Sequence, residues 1–211
     1  MSDLHLLYVT DAYCGWCWGF APTLSAFHAR HPHLPLRLIS GGLFTGEKIA
    51  PIAAYPHIPG ANDRITHLTG VTFGDAYQAR LQEGILVLNS DDAAAGLAAL
   101  RALAPDRALE AFHAIQHAFY MEGQSLSDPR TYRAVAQTLN LDPDAAEAAF
   151  HGPQARTEAA QDYQLARTLG VDSYPTLLAQ QDGQRTVLAR GAATVEQVET
   201  RLQRALNPAT P

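Results

Sequence analysis

Tyr13-Cys14-Gly15-Trp16-Cys17-Trp18-Gly19-Phe20-Ala21-Pro22 is the stretch from which the rest of the chain can be placed. It carries both cysteines of the protein, with two residues between them, just after the apolar run Leu6 to Thr10. An apolar run, a C-x-x-C and then a helical pattern describe a redox dithiol at a strand–helix junction. The N-terminus of a helix presents unpaired N–H groups and a partial positive charge. A thiol held at such an end ionises more readily, and the thiolate is the nucleophile. In this arrangement the first cysteine is the more exposed, so Cys14 is expected to attack and Cys17, one turn further in, to resolve. A zinc site is the competing use of the pair, but it needs four ligands, and no second C-x-x-C exists. The remaining ligands would have to come from residues such as His5, His31 or His33. Two unrelated buried thiols are the other alternative.

The reading outward from this stretch is of an α/β chain. Leu4 to Thr10 suits a strand buried on both faces. Phe20, Leu24 and Phe27 fall on one face of a helix ending near His31-Pro32, with Pro22 expected to kink it. Leu34 to Ser40 is a second strand, ended by Gly41-Gly42, which completes one βαβ unit. From Leu43 to about Ala79 the chain is rich in Gly and Pro and shows no clear element. Helices are expected from Ala93 to Ala104, capped by Ser90 or Asp91, and from Pro105 to Met121. Asp128-Pro129 and Asp142-Pro143 each open another, and Gln154 to Leu169 forms the last of this series. Pro175 to Gln180 and Arg185 to Arg190 form a hairpin around Asp182-Gly183. Thr194 and Gln197 make a capping box for a closing helix.

Composition narrows the function classes. The 211 residues are 47% hydrophobic and 17% charged, with a formal charge of −6, as in a globular domain. Lys48 is the only lysine and no basic cluster occurs, which argues against a nucleic-acid partner. The longest uncharged stretch, beginning at Ala12, contains Gly15, Gly19 and Pro22 and is unsuited to a membrane span. No secretory leader pattern precedes the first strand, so a cytoplasmic location is expected. Thiols are kept reduced there, and a C-x-x-C is more plausibly catalytic or sensing than structural.

Cys14-Gly15-Trp16-Cys17 opening a helix, with Pro22 further along it, resembles the active-site helix of thioredoxins. Val171-Asp172-Ser173-Tyr174-Pro175-Thr176 resembles the loop in that superfamily whose cis-proline lies against the dithiol. The long helical segment between the two motifs is similar to the insertion of the DsbA-like branch. The Cys-Gly-Trp-Cys-Trp-Gly-Phe variant is most similar to that branch's cytosolic predicted disulfide isomerases. The resemblance implies a thioredoxin-like fold (βαβ…ββα) with a large helical insertion between the second and third strands. Residues 1–42 and 168–211 would form the thioredoxin-like domain and 43–167 the insertion domain. Two departures stand out, the first being that periplasmic members of the branch carry a leader, which is not expected here. The buried carboxylate often found six residues before the first cysteine is replaced by Tyr8, and the nearest acid is Asp11. Asp11 either takes a proton from Cys17 through water or shapes the turn into the helix.

The resemblance further implies a thiol–disulfide oxidoreductase, a reductase or isomerase, in which Pro175 shields the dithiol and the Tyr174 backbone pairs with substrate. Gly15 and Trp16 would tune the cysteines. Trp16 brings no positive charge, which points to a potential toward the reducing end of the roughly −120 to −270 mV range, and below about −150 mV. Trp18 is expected on the substrate-facing rim and Phe20 in the core. No bound cofactor or metal is expected beyond the Cys14–Cys17 dithiol, recycled by glutathione or a reductase. Protein or small-molecule disulfides and thiols would be the substrates. His113 and His117, four residues apart, read as a polar helix edge rather than a metal site. Two rivals remain open: a glutathione-dependent transferase or isomerase of the kappa or hydroxychromene carboxylate isomerase type, and a redox-gated binding module or holdase.

Overall fold

Alternation along the first apolar run sets the architecture. In β1 (His5–Thr10) the side chains of Leu6, Tyr8 and Thr10 face one way and those of Leu7 and Val9 the other. All of them are buried, as a central strand requires. The structure is a computed structural model describing residues 4–207, so the outermost ends of the two thioredoxin-like segments lie outside the described residues. After β1 comes α1 (Gly15–Arg30), which buries Phe20, Leu24 and Phe27 and runs on through Pro22. The missing proline N–H leaves the Trp18 carbonyl without its helical donor. β2 (Leu36–Ser40) then lies parallel to β1, with Tyr8 opposite Leu38.

The Gly- and Pro-rich segment, in which the sequence shows no clear element, forms regular structure. Between Leu43 and Leu88 lie a short strand β3 (Ala50–Pro51), two helices, α2 (Ile58–Thr69) and α3 (Asp75–Glu83), and the strand β4 (Val87–Leu88), which pairs with β3. Here Pro and Gly punctuate helices. Pro59 sits in the first turn of α2, where its lost N–H costs nothing, and Gly70 and Gly84 end the two helices at positive φ.

The remaining insertion helices are α4 (Ser90–Leu103), α5 (Ala108–Tyr120), α6 (Pro129–Thr138), α7 (Pro143–His151) and α8 (Pro153–Thr168). Asp128 and Asp142 cap α6 and α7 as expected. The cap of α4 is Asn89, whose side chain accepts from the Asp91 and Asp92 N–H groups, rather than Ser90 or Asp91. Pro105 opens a 3₁₀ turn ahead of α5.

The chain returns to the sheet with β5 (Thr176–Gln181) and β6 (Gln184–Arg190) and closes with α9 (Val195–Leu206). Asp182 and Gly183 both take positive φ, which gives the hairpin turn the twist its strands need. A bulge opposite Leu177 and Leu178 lets the consecutive residues Leu188 and Ala189 both be buried. The Thr194–Gln197 capping box is formed. The sheet order is β2-β1-β5-β6, with β5 antiparallel to β1, so the helical insertion separates the second and third strands of this sheet. This is the thioredoxin-like α/β architecture. One apolar core runs without interruption from Leu6 and Phe20 into Phe112 and Phe119 of α5. On the opposite face Leu7, Val9, Ile39 and Leu178 pack against Ala166 of α8.

Candidate active site

The turn from β1 into α1 is built by Asp11. Its carboxylate accepts hydrogen bonds from the Tyr13 N–H at 2.9 Å and the Leu43 N–H at 2.8 Å. Its carbonyl accepts from the Cys14 N–H at 3.1 Å. One buried carboxylate therefore fastens the start of α1 to the segment leaving β2. Burial raises its carboxyl pKa, and these N–H groups act in the opposite sense. The observed bonds are those of a turn-shaping residue.

Cys14 is the N-cap of α1, and its carbonyl accepts from Cys17 and Trp18 at 2.9 and 3.1 Å. Both thiols are free. Cys14 keeps 6% of its surface and Cys17 none, the order expected for an attacking and a resolving thiol. Cys14 makes no capping bond with its side chain; its Sγ donates instead to the Tyr174 carbonyl at 3.4 Å. Burial pushes the Cys17 thiol's pKa well up, and the neighbouring Cys14 adds to the rise. The Thr10 hydroxyl and the Asp11 backbone oppose that shift.

The Tyr174–Pro175 peptide bond is cis. Its loop is held from both sides: the Tyr174 hydroxyl donates to the Gly41 carbonyl, and the Gly191 N–H donates to the Pro175 carbonyl at 2.9 Å. The Tyr174 ring occupies the space a side chain at position 41 would need, since a Cβ on Gly41 would fall 2.1 Å from it. The end of β2 thus seats the residue that faces Cys14, a requirement the sequence alone did not reveal.

The insertion supplies a wall. Ile65 of α2 packs so closely on α1 that a Cβ on Gly15 or Gly19 would fall within 2.9 Å of it. Gly15 is therefore a point of helix–helix contact as well as a spacer in the C-x-x-C. Trp16 is half-buried, with the Arg64 guanidinium 5.9 Å from its ring centroid. Trp18 is also half-buried; it stacks on Tyr120 and donates its indole N–H to the Thr72 carbonyl at 3.0 Å. With Pro22, Val71 and Met121 it lines an open groove of about 390 Å³. Phe20 is in the core.

Other candidates lie apart from this centre. His113 is not on a polar edge: its Nε2 is buried, its Nδ1 meets the Ser25 hydroxyl of α1 at 3.4 Å, and burial lowers its pKa to about 4. His117 pairs with Glu122. Among the described residues no three His, Cys, Asp or Glu side chains gather as metal ligands. A cavity of about 430 Å³ near β2, α4 and α8 is lined by polar and apolar side chains alike, and its Arg101 is already bound to Glu158 and Asp162.

A family model for the DSBA-like thioredoxin domain matches residues 6–203. No curated protein matches the chain. Solved structures do. A cytosolic disulfide reductase, DsbM, from Pseudomonas aeruginosa is 28% identical with a TM-score of 0.80, covering 97% of this chain and 100% of its own. The same reductase solved with GSH aligns at 27% identity and a TM-score of 0.77, over 96% and 99% of the two chains. A candidate protein disulfide isomerase from Nitrosomonas europaea shares the fold at a TM-score of 0.84 and 20% identity, over 98% and 99%.

Proposed function

This chain belongs to the DSBA-like thioredoxin domain family, and on that premise we propose that it is a disulfide reductase or isomerase whose working group is the Cys14–Cys17 dithiol. The observation that carries the reading is the placement of Cys14. It begins a helix, its sulfur faces the Tyr174 carbonyl beside the cis Pro175, and Cys17 sits one turn below it.

Cys14, as thiolate, attacks one sulfur of a substrate disulfide; the other sulfur leaves and takes up a proton. A mixed disulfide now joins Cys14 to the substrate. Cys17 loses its proton and attacks the Cys14 sulfur, forming the Cys14–Cys17 bond and releasing the second substrate thiol. The dithiol gives up two electrons and the substrate gains them. Two molecules of glutathione return the pair to its reduced form. The first opens the internal disulfide at Cys14 and the second releases the mixed disulfide as oxidised glutathione. A relative of this chain is known with GSH, which supports that assignment. Arg64, over Trp16, places a cation close to the dithiol for a carboxylate of such a thiol. Segment 43–167 carries this wall of the site, Tyr174 offers backbone to the substrate, and the setting is the reducing cytosol in which the related reductase is named.

Among the described residues no helix is long and apolar enough to cross a membrane. The test is covalent trapping. Incubated with oxidised glutathione, Cys17→Ser should accumulate a one-to-one glutathione adduct on Cys14, visible by mass, while the parent protein passes on to its internal disulfide. Full catalytic turnover by Cys17→Ser would reject the dithiol mechanism in favour of a glutathione transferase or isomerase.

A further inference from the structure

Two hydroxyls beneath the dithiol have no ordinary partner. Tyr8 and Thr10 are two residues apart on β1, so both point to the face on which α1 lies. Both are buried, with 0% and 1% of their surface exposed, and neither the Tyr8 Oη nor the Thr10 Oγ1 completes a hydrogen bond of normal geometry. Cys17, fully buried on α1, is the reacting group whose charge these two hydroxyls are placed to influence. The Tyr8 ring cannot swing away, because Phe20 lies 6.0 Å from it and Phe112 packs edge-on at 6.2 Å. A buried hydroxyl without a partner is costly, and a fold that keeps two of them beside a reacting sulfur calls for an explanation.

We propose that Tyr8 and Thr10 are the hydrogen-bond donors that stabilise Cys17 as a thiolate while it resolves the mixed disulfide. This rests on the dithiol reading above. A thiol has one proton to direct and accepts hydrogen bonds weakly, whereas a thiolate accepts from both hydroxyls at once. Their donation therefore favours the charged form over the neutral one. In the step itself the Cys17 S–H bond breaks and the Cys17–Cys14 bond forms. The bond from Cys14 to the substrate sulfur breaks, and the departing thiolate takes up the proton. Tyr8 remains a neutral phenol throughout, since burial and the neighbouring sulfurs raise its own pKa well above the usual value. The other titratable groups that interact with Cys17 are Cys14 at the N-cap of α1, Tyr120 from α5 and Tyr174 from the loop before β5. The Asp11 side chain is committed to the Tyr13 and Leu43 amides.

The two sulfurs can be followed separately with 5,5′-dithiobis(2-nitrobenzoate). The first thionitrobenzoate released reports attack by Cys14, and the second reports closure by Cys17. In Tyr8→Phe, which keeps the ring and removes the hydroxyl, the first release should stay within about twofold of the parent. The second should slow about tenfold at pH 7, with its pH midpoint about one unit higher. Thr10→Val, which keeps the strand shape, should shift the second release in the same direction. Second-phase rates and midpoints unchanged in both variants would overturn the proposal. So would equal slowing of both phases with an unmoved midpoint, the signature of a packing role. A parent protein that releases only one thionitrobenzoate would overturn the dithiol reading itself.

Discussion

Gly41 and Tyr174 lie far apart in the chain, yet together they fix the carbonyl that faces Cys14. Gly41→Ala would drive a methyl group into the Tyr174 ring, and overpacking of this kind costs about 1–3 kcal/mol. The expected outcome is a lower denaturant midpoint together with loss of disulfide reduction, while Gly60→Ala, in open space on α2, serves as the control. Unchanged stability and turnover in Gly41→Ala would show that the Tyr174 loop does not need this seat. The residues legible in the sequence were those carried by contiguous motifs: the two cysteines, their spacing, and Tyr174-Pro175. Gly41, Arg64 and the Tyr8–Thr10 pair were not legible as site residues, because each matters through a neighbour distant in sequence or on another element. Asp11 was legible as an acid near the dithiol, but the amides it binds, above all that of Leu43, appear only in the fold.

At the scale of elements, α2 is the part of the insertion that closes on the active-site helix. Its Ile65 is 1% exposed and fits against Gly15 and Gly19. Ile65→Ala should cost about 2–5 kcal/mol, the range for truncating a buried aliphatic side chain. It should also loosen the first turn of α1, seen as faster hydrogen exchange of the Cys17 and Trp18 amides in the native protein. Wild-type exchange at those amides would separate α2 from control of the dithiol. Neither α2 nor α3 was evident from sequence, since glycines and prolines at helix ends look locally like those of irregular loops. Helices opened by Asp-Pro were read correctly because cap and first turn are adjacent in the chain. The cap of α4 was misplaced because Asn89, Ser90 and Asp91 are all good caps, and only the fold chooses among them.

For the whole molecule, stability against pH reports how α5 is docked on α1. His113 has its pKa lowered to about 4 by burial, so the fold resists protonating it. Above the ordinary value of 6.5 both folded and unfolded chains hold the neutral ring, and its contribution is intact. As pH falls from there toward 4 the unfolded chain takes up the proton first, and stability is lost. Asp11 and Asp162, whose carboxyl pKa values burial raises, act in the opposite sense, losing stability as pH rises through their folded values. The contrast between parent and His113→Gln isolates the imidazole: the variant should lose less stability between pH 6.5 and 4 in matched denaturant titrations. Equal losses would mean that His113 is freely protonated in the fold.

The order β1-α1-β2, the late hairpin and the closing helix were legible because each follows local periodicity and turn chemistry. That one core joins the sheet to the insertion was not, since apolar periodicity names a buried face and not its partner. The claim to which all these levels lead is that Cys14 and Cys17 work as one reversible couple. Its most direct test is the equilibrium of that pair across glutathione buffers of graded potential, quenched by acid and read by thiol alkylation and mass. A single two-electron transition below about −200 mV, between free dithiol and internal disulfide, is the predicted result. A pair that never closes, or that stops at a stable glutathione adduct on Cys14, would contradict the account and reassign the site to glutathione transfer.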